Sequence, residues 1–219
     1  MLLSNNKGLS ISSNIENSTK SVSIQNIKGS KVYLISIVSS KPIQSISLKN
    51  ISLNETHGFV VKNAETLKIY GVTLNQERCT NCEGISIENI SNLSIIRVKT
   101  SYGSAGFRIV RSKGIIEDCE ISNIKSLRNV YGGGIYINGN SEIRLKNVNM
   151  IGNNAVHGAA FYCGTATLNM IGGKIHNNDA ASSGGAGQCD PLKCAFFVIG
   201  TDFKNNTQRA SSACRGIPN

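Results

Sequence analysis

A single parallel β-helix of about eight coils, an all-β solenoid spanning residues 1–219, is the fold class this sequence predicts, on three observations. The composition favours strands and turns over helices: Ile, Ser and Asn crowd out Ala, Leu and Glu, with 22 Gly, three Pro and no Trp. A hydrophobic pattern of period two recurs along the chain. The recurrence has a mean spacing of about 25 residues, the length of one solenoid coil.

The recurring unit is an eight-residue frame, apolar at its first, third, sixth and eighth positions, starting at Val22, Ile46, Leu67, Leu93, Gly114, Ile143, Leu168 and Phe196. Of the 32 apolar slots, 27 are hydrophobic, where a 40% hydrophobic composition would supply about 13. The third position has no exception: Ile24, Leu48, Ile69, Ile95, Ile116, Leu145, Met170 and Val198. Alternation inside each half makes two short strands, and the phase shift between the third and sixth positions requires a bend between them.

At that bend the fifth position reads Asn26, Asn50, Gly71, Arg97, Asp118, Asn147, Gly172 and Gly200. Asn and Gly tolerate left-handed backbone at least cost, so positive φ is expected there, with stacked Asn amides forming a short ladder. A third strand follows each frame: VYLISIV from Val32, GFVV from Gly58, GISI from Gly84, GFRIV from Gly106, GGIYI from Gly133 and AAFY from Ala159. Each strand is expected to pair in parallel with its copy one coil on, about 4.8 Å away. Parallel crossovers are right-handed in about 98% of cases, which sets the expected hand.

No stretch approaches the roughly 18 apolar residues of a membrane-spanning helix, and MLLSNNKGLSISSN lacks the apolar core of a signal peptide. No membrane insertion of this segment is expected. The net charge of +10 is spread over scattered Lys and Arg with no run of three, which reads as a solubility device, so nucleic acid is not an expected partner. LSIS at Leu9 resembles a third strand with no frame before it, and at the other end SSACRGIPN stops after a third strand. Solenoids need capped ends, so a fragment of a longer chain, with end-to-end self-association, is the expectation.

These residues resemble the right-handed parallel β-helix proteins of the pectin-lyase-like superfamily. The carboxyl half more narrowly resembles polymorphic outer-membrane protein repeats, with their Gly-Gly-Ala-aliphatic and Phe-x-x-Asn signatures. The first is matched by GGGI (132–135), HGAA (157–160) and GGAG (184–187), the second by MIGN (150–153), IHNN (175–178) and FKNN (203–206). The resemblance implies an extracellular or cell-surface domain, often adhesive.

It also implies a search for enzyme chemistry. A polygalacturonase-like site needs three neighbouring Asp with Gly-His-Gly and Arg-x-Lys elements; the four Asp here occupy different repeat positions, and no Gly-His-Gly occurs. A pectate-lyase-like site needs carboxylates for calcium and an Arg base. Glu117, Asp118 and Glu120, with Arg97 one coil earlier, are the only weak candidates, and a surface ion pair between Arg97 and Asp118 explains them without catalysis. That cluster is also the only place for calcium; no other metal or cofactor is expected. Active sites in the resembling enzymes often sit in long insertions, here residues 75–84, 123–132 and 179–194.

His57, His157 and His176 have no metal-ligand spacing, and the first two precede Gly as turn residues. Cys79 and Cys82 form a local disulfide or remain two thiols, Cys119 falls at a core slot as a buried thiol, and Cys163, Cys189 and Cys214 follow Gly-rich segments, with Cys194 closing QCDPLKC. The functional expectation is a non-enzymatic surface scaffold binding glycan or protein along an outer face, where Lys49, Lys99, Lys146 and Lys174 recur with Tyr70. A polysaccharide lyase or glycoside hydrolase is the alternative, and a structural spacer the third reading.

Overall fold

A computed structural model describes residues 2–4, 9–13, 20–30, 34–77, 82–126 and 131–209, the first two segments by backbone alone. The described residues contain no helix. They form a parallel β-solenoid of about seven turns, in which every strand pairs in parallel with its copies on the adjoining coils.

The register is the one the frame requires. The first slots Val22, Ile46, Leu67, Leu93, Gly114, Ile143, Leu168 and Phe196 pair in unbroken succession. So do the eighth slots Gly29, Leu53, Leu74, Thr100, Ile121, Met150, Ile175 and Phe203. Because side chains alternate, a one-residue slip would turn every apolar file outward, and burial of these files holds the register. All eight fifth-slot residues have φ between 51° and 65°, Arg97 and Asp118 included. The amide ladder is partial: Asn50 Nδ2 donates to Asn26 Oδ1 at 3.2 Å, and Asn147 Nδ2 to Asp118 Oδ1 at 3.3 Å.

The third strands stack Ile35, Phe59, Ile85, Phe107, Ile135 and Phe161 in one buried file, branched and aromatic side chains alternating from coil to coil. Leu9–Ser13 joins the amino end of this file, pairing Leu9 with Ile35. Leu2–Ser4 pairs with residues 28–30, so the second half of a frame does precede it. The tail segment SSACRGIPN lies outside the described residues.

Two features depart from the three-strand expectation. Residues 179–194 are not an insertion: they hold Asp179–Ser183 and Gly187–Cys189, the latter continuing the third-strand file past Phe161. Its composition hid it, because the Phe161 ring fills the space a side chain at position 187 would use; a Cβ there would lie 2.2 Å from the ring. The carboxyl coils also carry a fourth short strand, with Asn154–His157, Asp179–Ser183 and Thr207–Gln208 forming a separate three-stranded sheet. The Gly-rich segments turn the chain between this sheet and the third strands, where Gly132, Gly158 and Gly184 stack with φ of 67°, 63° and 70°.

The asparagines of MIGN, IHNN and FKNN form a buried ladder. Asn153 Oδ1 accepts from Ile124 N, Asn178 Oδ1 from Asn153 N, and Asn206 Oδ1 from Asn178 N, at 2.9–3.1 Å. Their amide groups donate to the carbonyls of Ile121, Met150 and Ile175. Each side chain thus satisfies backbone groups that the turn leaves without sheet partners.

Candidate functional site: an aromatic file on the outer face

On each third strand the residue between the two buried positions points outward. In successive coils this file reads Ser86, Arg108, Tyr136, Tyr162 and Gln188. The Tyr136 and Tyr162 rings stack with centroids 5.7 Å apart and planes within 7°, and the Arg108 guanidinium lies 5.7 Å from the Tyr136 centroid. Tyr131 reaches the file from the neighbouring corner: its ring meets Tyr162 at 4.6 Å and stacks on His157 at 5.1 Å.

Polar groups frame the rings. Asn138 Nδ2 donates to Tyr136 Oη at 2.7 Å, Ser183 Oγ donates to Gln188 Oε1 at 2.7 Å, and His157 Nδ1 lies 2.7 Å from Ser183 Oγ. Burial pushes the Tyr162 phenol up, so it remains a hydrogen-bond donor at neutral and mildly alkaline pH. Tyr131 is 42% exposed. The arrangement offers ring edges and faces beside hydroxyl, amide and imidazole groups, at the coil spacing, on a rigid sheet.

This file was missed in the sequence because its members are separated by 22–28 residues and sit in the outward slot of the third strand, where no periodic hydrophobicity marks them. The signal was the Tyr in GGIYI and AAFY. His157 is likewise more than a turn residue, since it supports Tyr131.

The face read from the sequence is occupied by its own contacts. Arg97 donates to Tyr70 Oη at 2.6 Å and lies 5.6 Å from its centroid, with Lys49 on the same ring at 6.0 Å. Lys146 pairs with Glu117, and Lys99 with Glu120 at 3.6 Å; Lys174 is exposed.

Arg97 therefore turns back to Tyr70 and makes no ion pair with Asp118, because Tyr70 offers both a ring face and a hydroxyl one coil earlier. Glu117, Asp118 and Glu120 each face a different neighbour, Lys146, Asn147 and Lys99. Among the described residues the only three His, Cys, Asp or Glu side chains converging at metal-ligand distances are Cys163, Cys189 and Cys194.

Cys119 occupies its core slot, 1% exposed, and burial pushes its thiol up to about 12. Cys82 is disulfide-bonded; Cys79 lies outside the described residues. His176 Nε2 lies 2.9 Å from Asp202, and no described helix is long and apolar enough to cross a membrane.

No family model, no curated protein and no solved structure matches this chain.

Proposed function

We propose that this protein is a non-enzymatic β-solenoid scaffold of the cell surface or extracellular space that binds a glycan along its outer face. The observation that carries the reading is the file of Arg108, Tyr136 and Tyr162 with Tyr131 and His157 beside it. Sugars alternate C–H faces with hydroxyl groups. The rings supply apolar contact to the first, and the phenols, Gln188 and His157 exchange hydrogen bonds with the second. Tyr and Arg carry binding energy out of proportion to their area because they bury much surface for little lost rotamer freedom. Placement on a continuous sheet keeps that cost low. The resemblance to pectin-lyase-like β-helices and to polymorphic outer-membrane protein repeats supports the extracellular setting.

The test incubates the chain with polyuronates and neutral polysaccharides, with and without calcium, and measures both retention and cleavage. Retention without products is expected, weakened about tenfold or more by Tyr162→Ala. Retention unchanged in a Tyr136→Ala, Tyr162→Ala double variant would remove the aromatic file from the site. Unsaturated or reducing products that vanish in Asp118→Asn would establish the lyase or hydrolase reading instead. Capture of proteins, with no glycan retained, would make this face a protein-binding surface.

A further inference from the structure

Three sulfur atoms meet at one corner of the carboxyl-terminal coils. Cys163 ends the third strand Phe161–Cys163, and Cys189 pairs with it in register one coil on. The chain then turns at Asp190, whose carbonyl accepts from Lys193 N and Cys194 N, and Cys194 opens the next strand. The three Sγ atoms all lie within 4.8 Å of one another. Cys163 and Cys194 are disulfide-bonded with Cα atoms 5.9 Å apart, while Cys189 is a half-buried free thiol.

We propose that Cys163, Cys189 and Cys194 form a redox-gated site for one thiophilic d10 cation, of which Zn2+ is the probe, and that the Cys163–Cys194 disulfide is its closed state. Opening takes two electrons and two protons from a dithiol, which leaves as its own disulfide. Binding then places three thiolates on the cation and releases three protons to water. The geometry needs little change. Three sulfurs each about 2.3 Å from a tetrahedral zinc stand roughly 3.8 Å apart, a spacing compatible with the 4.8 Å within which all three Sγ atoms now lie. Cys163 and Cys194, with Cα atoms 5.9 Å apart, reach that spacing by side-chain rotation once the S–S bond is opened. The partly exposed side of Cys189 and Cys194 leaves the fourth position to water.

The same three atoms could instead serve disulfide exchange, with Cys189 attacking its neighbour. Burial pushes the Cys189 thiol up to about 11, so at neutral pH almost none of it is the thiolate that exchange needs. A cation removes this obstacle, because coordination itself displaces the thiol proton.

The full chain is reduced with a water-soluble phosphine, which becomes the phosphine oxide, and alkylated with and without Zn2+, followed by peptide mass mapping. Zn2+ is expected to slow alkylation of Cys163, Cys189 and Cys194 together by at least tenfold, with one zinc bound per chain. Co2+ in its place should give a thiolate-to-metal charge-transfer band. Cys189→Ser should weaken zinc binding at least tenfold, whereas Cys119→Ala should leave it unchanged. The oxidised chain should bind no zinc through these residues. Unaltered alkylation rates in zinc, protection confined to other cysteines, a Cys189→Ser variant that binds zinc as well as the parent, or a reduced chain that unfolds and is not restored by zinc would each overturn the site.

Discussion

The coils of residues 35–75 and those of residues 149–208 share one register and hold it by different physics. In the first region, Ile35–Asn54 and Phe59–Asn75 are strands of 20 and 17 residues, and each runs through its bend without interruption. Their interior is almost wholly aliphatic: Ile35, Ile37, Ile46, Leu48, Ile51 and Leu53 are at most 1% exposed. In the second region the strands last two to six residues. Its corners are filled by Ala159, Ala160 and Ala186, by the buried ladder of Asn153, Asn178 and Asn206, and by a disulfide. Apolar burial stabilises in proportion to area and tolerates swaps of similar volume. A buried amide ladder is satisfied only by its own geometry.

The largest effect should come where an apolar file is broken between the two regions. Ile95 is fully buried at a third slot, stacked between Ile69 and Ile116. Ile95→Asp places a carboxylate among aliphatic side chains with no partner, at a cost of several kcal/mol, and the loss passes to both neighbouring coils. Far-UV circular dichroism should show the β signal gone, while Ile95→Val should lower stability by only about 0.5–1.5 kcal/mol. A folded Ile95→Asp chain would mean that the file is not the common element.

Next comes the crosslink. The Cys163–Cys194 bond closes a loop with a sequence separation of 31, worth about 3–4 kcal/mol in a chain-entropy account. Cys194→Ser should therefore cut hydrogen-exchange protection across residues 161–208 and leave residues 35–75 unchanged. Equal loss in both regions would show that the solenoid unfolds as one unit rather than by parts.

How much of this was legible in the sequence follows from the same contrast. Where the interior is aliphatic, period-two alternation marks each strand, and the frame gave the pairing residue by residue, from Val22 with Ile46 to Leu168 with Phe196. The bend was legible even at Arg97 and Asp118, because the pattern, not the residue type, located it. Legibility failed where small or polar residues fill the interior. The strand Gly187–Cys189 carries no apolar alternation, and the fourth strand Asn154–His157 has one fully buried side chain, Ala155. The candidate site failed for another reason: Arg108, Tyr136 and Tyr162 are neighbours only through parallel pairing of distant segments. Of the lysines noticed first, Lys99 and Lys146 have carboxylates one coil away that neutralise them.

The amide ladder gives the third effect. Asn178 accepts from Asn153 N and donates to Met150 O and Asn206 Oδ1. Asn178→Ala strands a buried donor and a buried acceptor, and about 2–3 kcal/mol of destabilisation is expected, read as a lower denaturant midpoint. Asn178→Leu restores the apolar volume but not the bonds. If it recovered the parent midpoint, the carboxyl coils would be held by volume, as the amino-terminal ones are, and the contrast between the regions would collapse.

The smallest effect lies on the surface of the coils between the two regions, where ion pairs link one coil to the next. Glu88, 18% exposed, bonds to Lys62 at 2.9 Å on the preceding coil and to Arg111 on the following one. The Lys62 hydrogen bond, with the charges of Lys62 and Arg111 acting against partial burial, holds its carboxyl below the ordinary 4.5. A depressed carboxyl contributes stability that is fully present above its unfolded pKa and lost as pH falls through the folded value, so the window lies on the acid side of 4.5. The pair partners are well exposed, at 38% and 54%, and water screens them to about 0.5–1 kcal/mol at most. Glu88→Gln should lower the thermal midpoint slightly at pH 7 and match the parent once pH is low enough to protonate Glu88 in the folded chain. A deficit that persists there would mean the side chain acts through its packing between Lys62 and Arg111 rather than through its charge.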